Sequence, residues 1–486
     1  MSRDFSTPRA KNLALALLAL TQFLIVIDAS IVNVALPSIG ESLGIGQDGL
    51  SWVINAYILA FGGFLLLGGR LADLLGRRKM FVTGLLIFTV ASLMGGLAQN
   101  DAWLNIARAV QGLGAAIVSP AALSILTTTF KEGSERNRAL AVWGAMSGAG
   151  GAAGVLLGGV LTEYLGWEWV LFVNVPVGLF MVWQAFRLFP ASSRVDGARS
   201  FDLPGSISVT AGLALLVFTL VDAEKAGWTS TTTLLRAAAA VALLVVFVVI
   251  ERRSAAPLVT LSIFRLRTLR GANVVMLLVG ASLISGFFLI TLYLQQVLGF
   301  TPLQAGLAYL PLALSIIASA GGASPLITKF GFKTVLLVAL GFVAAGLAWF
   351  AQVGADGRFI SDVFGPSVLT GLGLGGSLVA VTVAALTGTT DEQAGLASGL
   401  VNAGNQIGGA VGLAVISAVA TATTARAMSG GVDRTVALTD GFHDAFLVGA
   451  GVAVAGMVFA ALSISSRDSR EHAAAAQRGE VAVTAL

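Results

Sequence analysis

Gly69-Arg70-Leu71-Ala72-Asp73-Leu74-Leu75-Gly76-Arg77-Arg78-Lys79 lies between two apolar runs, 49–69 and 80–99. Each run is about as long as the 20 residues that a helix needs to cross a bilayer. Glycine lets so short a connection turn, and its four cations would hold the loop on the cytoplasmic side. Positive charge alone suffices for that, so Asp73 among the cations calls for another purpose. A lone carboxylate can dock on a helix N-terminus or on an arginine elsewhere. Gly69, Asp73, Gly76, Arg77 and Arg78 therefore read as a conformational latch between helix groups, with simple anchoring as the plainer alternative.

The same kind of run recurs on both sides of this loop. Fourteen are found, at about 12–36, 49–69, 80–99, 102–129, 138–162, 168–187, 205–221, 234–251, 271–298, 303–328, 333–353, 363–388, 394–420 and 441–465. They are continuous rather than alternating, which means helices and not barrel strands. The composition agrees: 56% of the 486 residues are apolar, 11% are charged and mean hydropathy is +0.88. Soluble domains sit near 45–50% and 25%, so a cytosolic enzyme and a disordered chain are both excluded. Fourteen spans take roughly 280 residues, which leaves no room for a large soluble domain. The first run continues for about 25 residues after Lys11, too long for a signal sequence, and reads as a retained span.

Lys and Arg orient the array. With both termini on the cytoplasmic side of the cell membrane, 23 fall inside and 5 outside, Arg108 in a span being the last of 29. That asymmetry is a strong positive-inside signal. The formal charge of +4 is thus a matter of topology, and nucleic acid is not an expected partner. There is no cysteine, and His443 and His472 are the only histidines. Disulfides and thiolate metal sites are excluded and a histidine metal cluster is implausible, so no cofactor or metal is expected, only a proton gradient.

An offset of 255 brings Gly76 onto Gly331, Arg78 onto Lys333, Gly144 onto Gly399 and Gly154 onto Gly409. Six spans on each side read as copies, an arrangement common among secondary transporters. The expected organisation is an all-α membrane protein. A six-helix bundle at 1–190 is followed by a linker with two inserted helices at 191–270. A second six-helix bundle at 271–466 and a cytoplasmic tail at 467–486 complete the chain.

Two charged residues stand deep in spans. Asp28 lies roughly 13 Å below the outer end of span 1 and Arg108 roughly 9 Å below that of span 4. A carboxylate at such depth costs at least about 2.5 kcal/mol, and desolvation favours its protonated form, which suits a proton carrier. Arginine does not give up its proton and needs a partner or water. If their helices are neighbours, making and breaking an Asp28–Arg108 contact loads and releases a proton; a permanent structural pair is the alternative. In span 5, Gly150, Gly154, Gly158 and Gly159 permit close helix approach, with or without hinge motion. Candidate contacts for a large amphipathic ligand are Asn33, Tyr57, Gln111, Phe287, Thr291, Tyr293, Gln295, Asn402 and Gln406, uncharged polar groups mixed with aromatics; hydrogen bonding between helices is the plainer reading of each.

Three of these segments together resemble the major facilitator superfamily, most closely its fourteen-span drug/proton antiporter branch. Gly69-x-Leu-Ala-Asp73-x-x-Gly76-Arg77-Arg78 resembles the superfamily's loop signature. Leu104-x-x-x-Arg108-x-x-Gln111-Gly112-x-Gly114 resembles its span-4 motif. Asp28-x-x-Ile31-Val32-Asn33-Val34-Ala35-Leu36-Pro37 resembles the span-1 motif of the branch. The resemblance implies two six-helix bundles, proton coupling at Arg108 and export of drugs by alternating access. In span 5 the motif's proline is replaced by Val155, so a kink there must come from glycine. Acidic residues that help some branch members bind dications are absent from 303–328 and 394–420.

The leading reading is a proton-coupled exporter of hydrophobic or amphipathic small molecules such as drugs, antibiotics or dyes, working as a monomer in the lipid bilayer. A symporter that imports a nutrient is the alternative; it would want more charged groups for a polar solute. A membrane enzyme would need a carboxylate or metal cluster near an interface, and none stands out.

Overall fold

The computed structural model describes residues 8–130, 134–189, 202–254, 257–389 and 391–478, and among them there is no strand. The first group of helices is α1 (Pro8–Leu43), α2 (Gln47–Leu75), α3 (Arg77–Gly96), α4 (Asp101–Thr129), α5 (Ser134–Tyr164), the short α6 (Trp169–Phe172) and α7 (Asn174–Leu188). Next come α8 (Leu203–Ala226) and α9 (Thr231–Arg253). The last group is α10 (Arg267–Leu292), α11 (Pro302–Ala308), α12 (Leu310–Phe330), α13 (Phe332–Phe350), α14 (Gly365–Leu386), α15 (Asp391–Ser429) and α16 (Arg434–Ser463), closed by a short α17 (Ser466–Gln477). Among the described residues, twelve helical stretches are long and apolar enough to cross a membrane. In α2 and α8 the apolar stretches are shorter, Gly49–Leu65 and Pro204–Leu220.

Several spans are longer or less regular than their apolar runs. The helix of span 1 carries on through Pro37 to Leu43, since an internal proline removes one backbone hydrogen bond without ending a well-packed helix. Span 6 breaks at Val173, between α6 and α7. Span 9 ends in a π-helical turn, Tyr293–Val297, and span 10 is interrupted at Tyr309. The tail carries α17, which the sequence reading did not anticipate. Lys333 N–H donates to Ser469 Oγ at 3.1 Å and Gln477 Nε2 to Thr328 O at 2.9 Å, clasping α17 to the α12–α13 turn.

The internal repeat is visible in both turns and packing. Gly76 closes α2 and opens α3 with φ +97°, and Gly331 does the same between α12 and α13 with φ +81°. These are left-handed values that glycine adopts without strain. α1 packs on α5 as α10 packs on α15, and α2 and α3 flank α4 as α12 and α13 flank α14. Across the seam α2 meets α15, while α5 meets α11 and α12. The inserted α8 and α9 pack on each other, and α8 lies against both α2 and α15.

The two groups share one core at one end only. The main apolar cluster joins first-group residues such as Ile31, Leu36 and Val155 to Phe288, Tyr293, Tyr309, Phe350 and Phe446. A separate cluster, including Ala272, Ile327, Phe332, Ala384 and Ile464, fills the other end of the last group, where α16 finishes. Two polar contacts cross the seam at the joined end: Gln295 Nε2 donates to Val34 O at 2.7 Å, and Leu303 N–H to Glu163 Oε2 at 3.1 Å. The molecule is closed on the face away from its described termini.

The α5 glycines explain how the groups fit. A methyl group at Gly154 would stand 1.8 Å from Ser30 Oγ and 2.9 Å from Ile27 O; one at Gly158 would stand 2.7 Å from Ile31 O. Gly159 faces the other way, 2.7 Å by the same measure from Pro302 O. One face of α5 therefore lies on the backbone of α1 beside Asp28, and the other on the second group. At Gly151 nothing lies within 4 Å. Gly154→Ala is expected to cost about 1–3 kcal/mol through overpacking, and Gly151→Ala almost nothing. Thermal melting of the two purified variants in one detergent checks the contrast.

Candidate functional site

Asp28 is on α1, fully buried at 0% exposure, and Arg108 on α4 is buried as deeply. Their helices are neighbours, and Arg108 Nη1 donates to Asp28 Oδ2 at 2.7 Å. The same Nη1 reaches Gln111 Oε1 at 2.7 Å, and Arg108 Nε donates to Val53 O at 3.2 Å. The guanidinium lies over the Tyr57 ring, 4.3 Å from its centroid, a contact that attracts a desolvated cation to the ring face. Two residues one turn apart on α4, 108 and 111, thus present a charge and an amide to the same carboxylate.

The other carboxylate oxygen is held by amides. Gln111 Nε2 and Asn174 Nδ2 each donate to Asp28 Oδ1 at 2.7 Å. The same two nitrogens also donate to Ser92 Oγ, at 3.1 and 3.0 Å, and Ser92 passes its own hydrogen to Leu171 O at 2.9 Å. Asn174 opens α7 at the break after Val173, so α1, α4 and α7 meet at the carboxylate, and α3 holds the two amides through Ser92. Three strong donors aimed at two oxygens fit a charged carboxylate. Burial would otherwise make the charge costly, and pairing plus complete hydrogen bonding is what makes it tolerable.

The remaining candidates fall elsewhere. Tyr57 and Gln111, read from sequence as ligand contacts, sit against the Asp28–Arg108 pair. Asn33 turns back on its own helix, Nδ2 donating to Ala29 O at 2.8 Å. Phe287 stacks on Tyr309 with centroids 5.3 Å apart, and Thr291 Oγ1 and Tyr309 Oη share a 2.7 Å hydrogen bond. Tyr293 is buried and donates to Gly354 O at 2.8 Å. Gln295 bridges to α1 as described, and Gln406 packs across the seam against Gly62, where a methyl group would lie 2.9 Å from its Cβ. Asn402 is exposed on α15. In the loop, Arg78 Nη2 donates to Phe186 O at 3.4 Å, tying the start of α3 to the end of α7. The side chain of Asp73 lies outside what the structure describes.

Sequence reasoning missed Ser92 and Asn174. Both are uncharged polar residues inside apolar spans, and neither type is rare there. An apolar groove of ≈ 760 Å³ between α3 and α4, lined by Leu86, Val90, Met94, Trp103, Ile106 and Val110, is an alternative. Its one indole N–H is spent on Met94 O at 2.9 Å. It offers a ligand no directional contact, so the carboxylate cluster is the functional candidate.

A family model described as Major Facilitator Superfamily matches residues 18–413. The chain belongs to that superfamily. It is a multi-pass membrane transporter and not an enzyme. Among major facilitator relatives, it is 41% identical over 411 residues to the cephamycin export protein of Amycolatopsis lactamdurans, covering 84% of each chain. It is 38% identical over 474 residues to the puromycin resistance protein of Streptomyces alboniger, covering 97% of this chain and 94% of that one. Of the solved structures, a bacterial homologue of the human lysosomal transporter Spinster superposes with TM-score 0.69 at 15% identity, over 96% of this chain and 99% of that one. That likeness establishes the shared fold of this major facilitator protein.

Proposed function

We propose that the protein is a proton-coupled antiporter that exports hydrophobic or amphipathic small molecules, antibiotics among them, by alternating access. The observation that carries the reading is a fully buried carboxylate, Asp28, caged by an arginine and two amides between α1, α4 and α7. It is the acid best placed to bind and release a proton inside the membrane. Relatives named for cephamycin export and puromycin resistance give the direction and the substrate class.

In this reading all fourteen apolar helices span, and both termini are cytoplasmic. The joined end of the two bundles is then external, and the conformation is open to the cytoplasm. Substrate enters from that side. The bundles rock about their seam, and a proton from outside displaces Asp28 from Arg108 as substrate leaves. Each charge moved is worth about 2.3 kcal/mol per 100 mV, roughly a fiftyfold gradient of a neutral substrate. The segment 69–79 with Asp73, between α2 and α3, latches the cycle, and no metal or organic cofactor takes part.

Transport into inverted vesicles with an imposed pH gradient tests this, using puromycin, ethidium and glucose as probes. Puromycin or ethidium should accumulate while the gradient lasts and leak out when a protonophore is added, and glucose should not accumulate. Accumulation indifferent to the gradient would overturn the reading. Topology is checked separately, and cleanly, because the native chain has no cysteine. In intact cells Arg434→Cys should react with an impermeant maleimide and Arg265→Cys should not; the reverse would invert the orientation.

A further inference from the structure

Asn174 is buried, and its amide is used on one side only. Nδ2 spends both hydrogens, on Asp28 Oδ1 and on Ser92 Oγ, while Oδ1 is buried with no partner. A buried amide oxygen left without a donor is costly, and such groups call for an explanation.

The other hydrogen-bonded members of the cluster have no such spare capacity; the Tyr57 hydroxyl, on the ring beneath Arg108, is also buried without a partner. Gln111 gives both Nε2 hydrogens and takes Arg108 Nη1 on Oε1. Ser92 accepts two hydrogen bonds and donates its hydroxyl to Leu171 O. Arg108 has no acceptor at all. The arrangement suits a charged Asp28, and a protonated Asp28 brings a new O–H into a site where nearly every contact is already a donor. Of the side chains bonded directly to Asp28, Asn174 is the one that carries a free acceptor, its amide oxygen. Half a turn of that amide about Cβ–Cγ puts Oδ1 where Nδ2 stands.

We propose that Asn174 is a positioning residue that reads the protonation state of Asp28, donating through Nδ2 to the carboxylate and accepting through Oδ1 from the carboxylic acid. The inference rests on Asp28 being the coupling carboxylate. A proton delivered from the external water forms one O–H bond at Asp28 Oδ1, and the amide flip exchanges the Nδ2 contact to Asp28 for an O–H···O contact while giving up the Nδ2 contact to Ser92. Ser92 loses the Asn174 hydrogen in the flipped state, and its hydroxyl is then free to rotate from Leu171 O towards the amide. Because Leu171 lies in the short α6 and Asn174 begins α7, the exchange acts on the break in that span.

The groups that bear on Asp28 from the surrounding helices are few. Among the described residues they are the charged Arg108 and the titratable Tyr57, with Ser92, Gln111 and Asn174 as neutral partners; α5 brings glycine and backbone to this part of α1. Replacing Asn174 by leucine removes one donor to the carboxylate. A hydrogen bond to a charged group accounts for a shift of about 1–2 pH units. The charged form is the one weakened, so the proton is held to higher pH and the transport profile moves alkaline.

The test is the pH profile of gradient-driven puromycin uptake into inverted vesicles for wild type, Asn174→Leu, Asn174→Ser and Asp28→Asn. Puromycin-for-puromycin exchange is measured in the same vesicles as a check on folding. The expected result is an alkaline shift of about 1–2 units for Asn174→Leu, with exchange retained. Serine, both donor and acceptor, should restore the profile in part. An unshifted profile for Asn174→Leu, with Asp28→Asn inactive, would refute the role of Asn174 and leave the coupling carboxylate standing. If leucine loses exchange as well, the serine variant decides: a profile identical to wild type would refute the proposal, and an intermediate one supports it. Gradient-driven uptake by Asp28→Asn would instead remove the reading on which the inference rests.

Discussion

Asp28→Asn is expected to abolish accumulation of puromycin against its gradient while sparing downhill exchange of substrate for substrate. The substitution keeps size and shape but removes the only charge that faces Arg108 in the buried cluster. Asparagine imitates the protonated acid. Its Oδ1 can accept from Arg108, and its Nδ2 can meet the free oxygen of Asn174. The carrier is then held in its protonated form, which can shuttle substrate but cannot release a proton. The loss in gradient-driven uptake should be complete at every pH, measured beside wild type in one vesicle preparation.

Arg108→Ala is expected to favour the protonated form of the same carboxylate too, but in a way that alkaline pH reverses. Removing one partner of a buried pair costs about 3–5 kcal/mol, because the other charge is left unbalanced. Taking up a proton is the cheaper escape, and at about 1.4 kcal/mol per pH unit it moves the activity profile alkaline by roughly 2 units or more. Uptake should vanish near neutral pH and reappear in part at alkaline pH. Arg108→Lys should recover less than half of wild-type activity, since an ammonium lacks the planar fork that here reaches Asp28, Gln111 and Val53 O together. The pH dependence of uptake, not its rate at one pH, is the quantity that distinguishes Arg108→Ala from Asp28→Asn.

The helices could be read from sequence because a bilayer imposes one length and one composition on every span. The meeting of Asp28 and Arg108 was half legible. Counting residues placed both at similar depth, but neighbourhood of α1 and α4 is a property of packing. The α5 glycines stood out by spacing; only the structure shows that Gly154 faces α1 and Gly159 faces the second bundle. Asn174 and Ser92 were missed since single polar residues in a span usually bond to a neighbouring helix. A depth count would have helped: Asn174 lies roughly 8 Å below Trp169, the depth of Arg108. Tyr57 and Gln111 looked like ligand contacts because composition cannot say which way a polar side chain points. The α17 helix escaped because its polar sequence has no apolar run, and its place is fixed by Lys333, Thr328 and Ser469 instead.

The central claim is that Asp28 itself takes up and releases the transported proton. Infrared difference spectra of the purified protein, recorded as pH is lowered, report directly on carboxyl groups that become protonated. The account predicts a carboxylic-acid carbonyl band that titrates in wild type, disappears in Asp28→Asn, and moves to higher pH in Arg108→Ala. Superimposable spectra for wild type and Asp28→Asn across the whole pH range would contradict it.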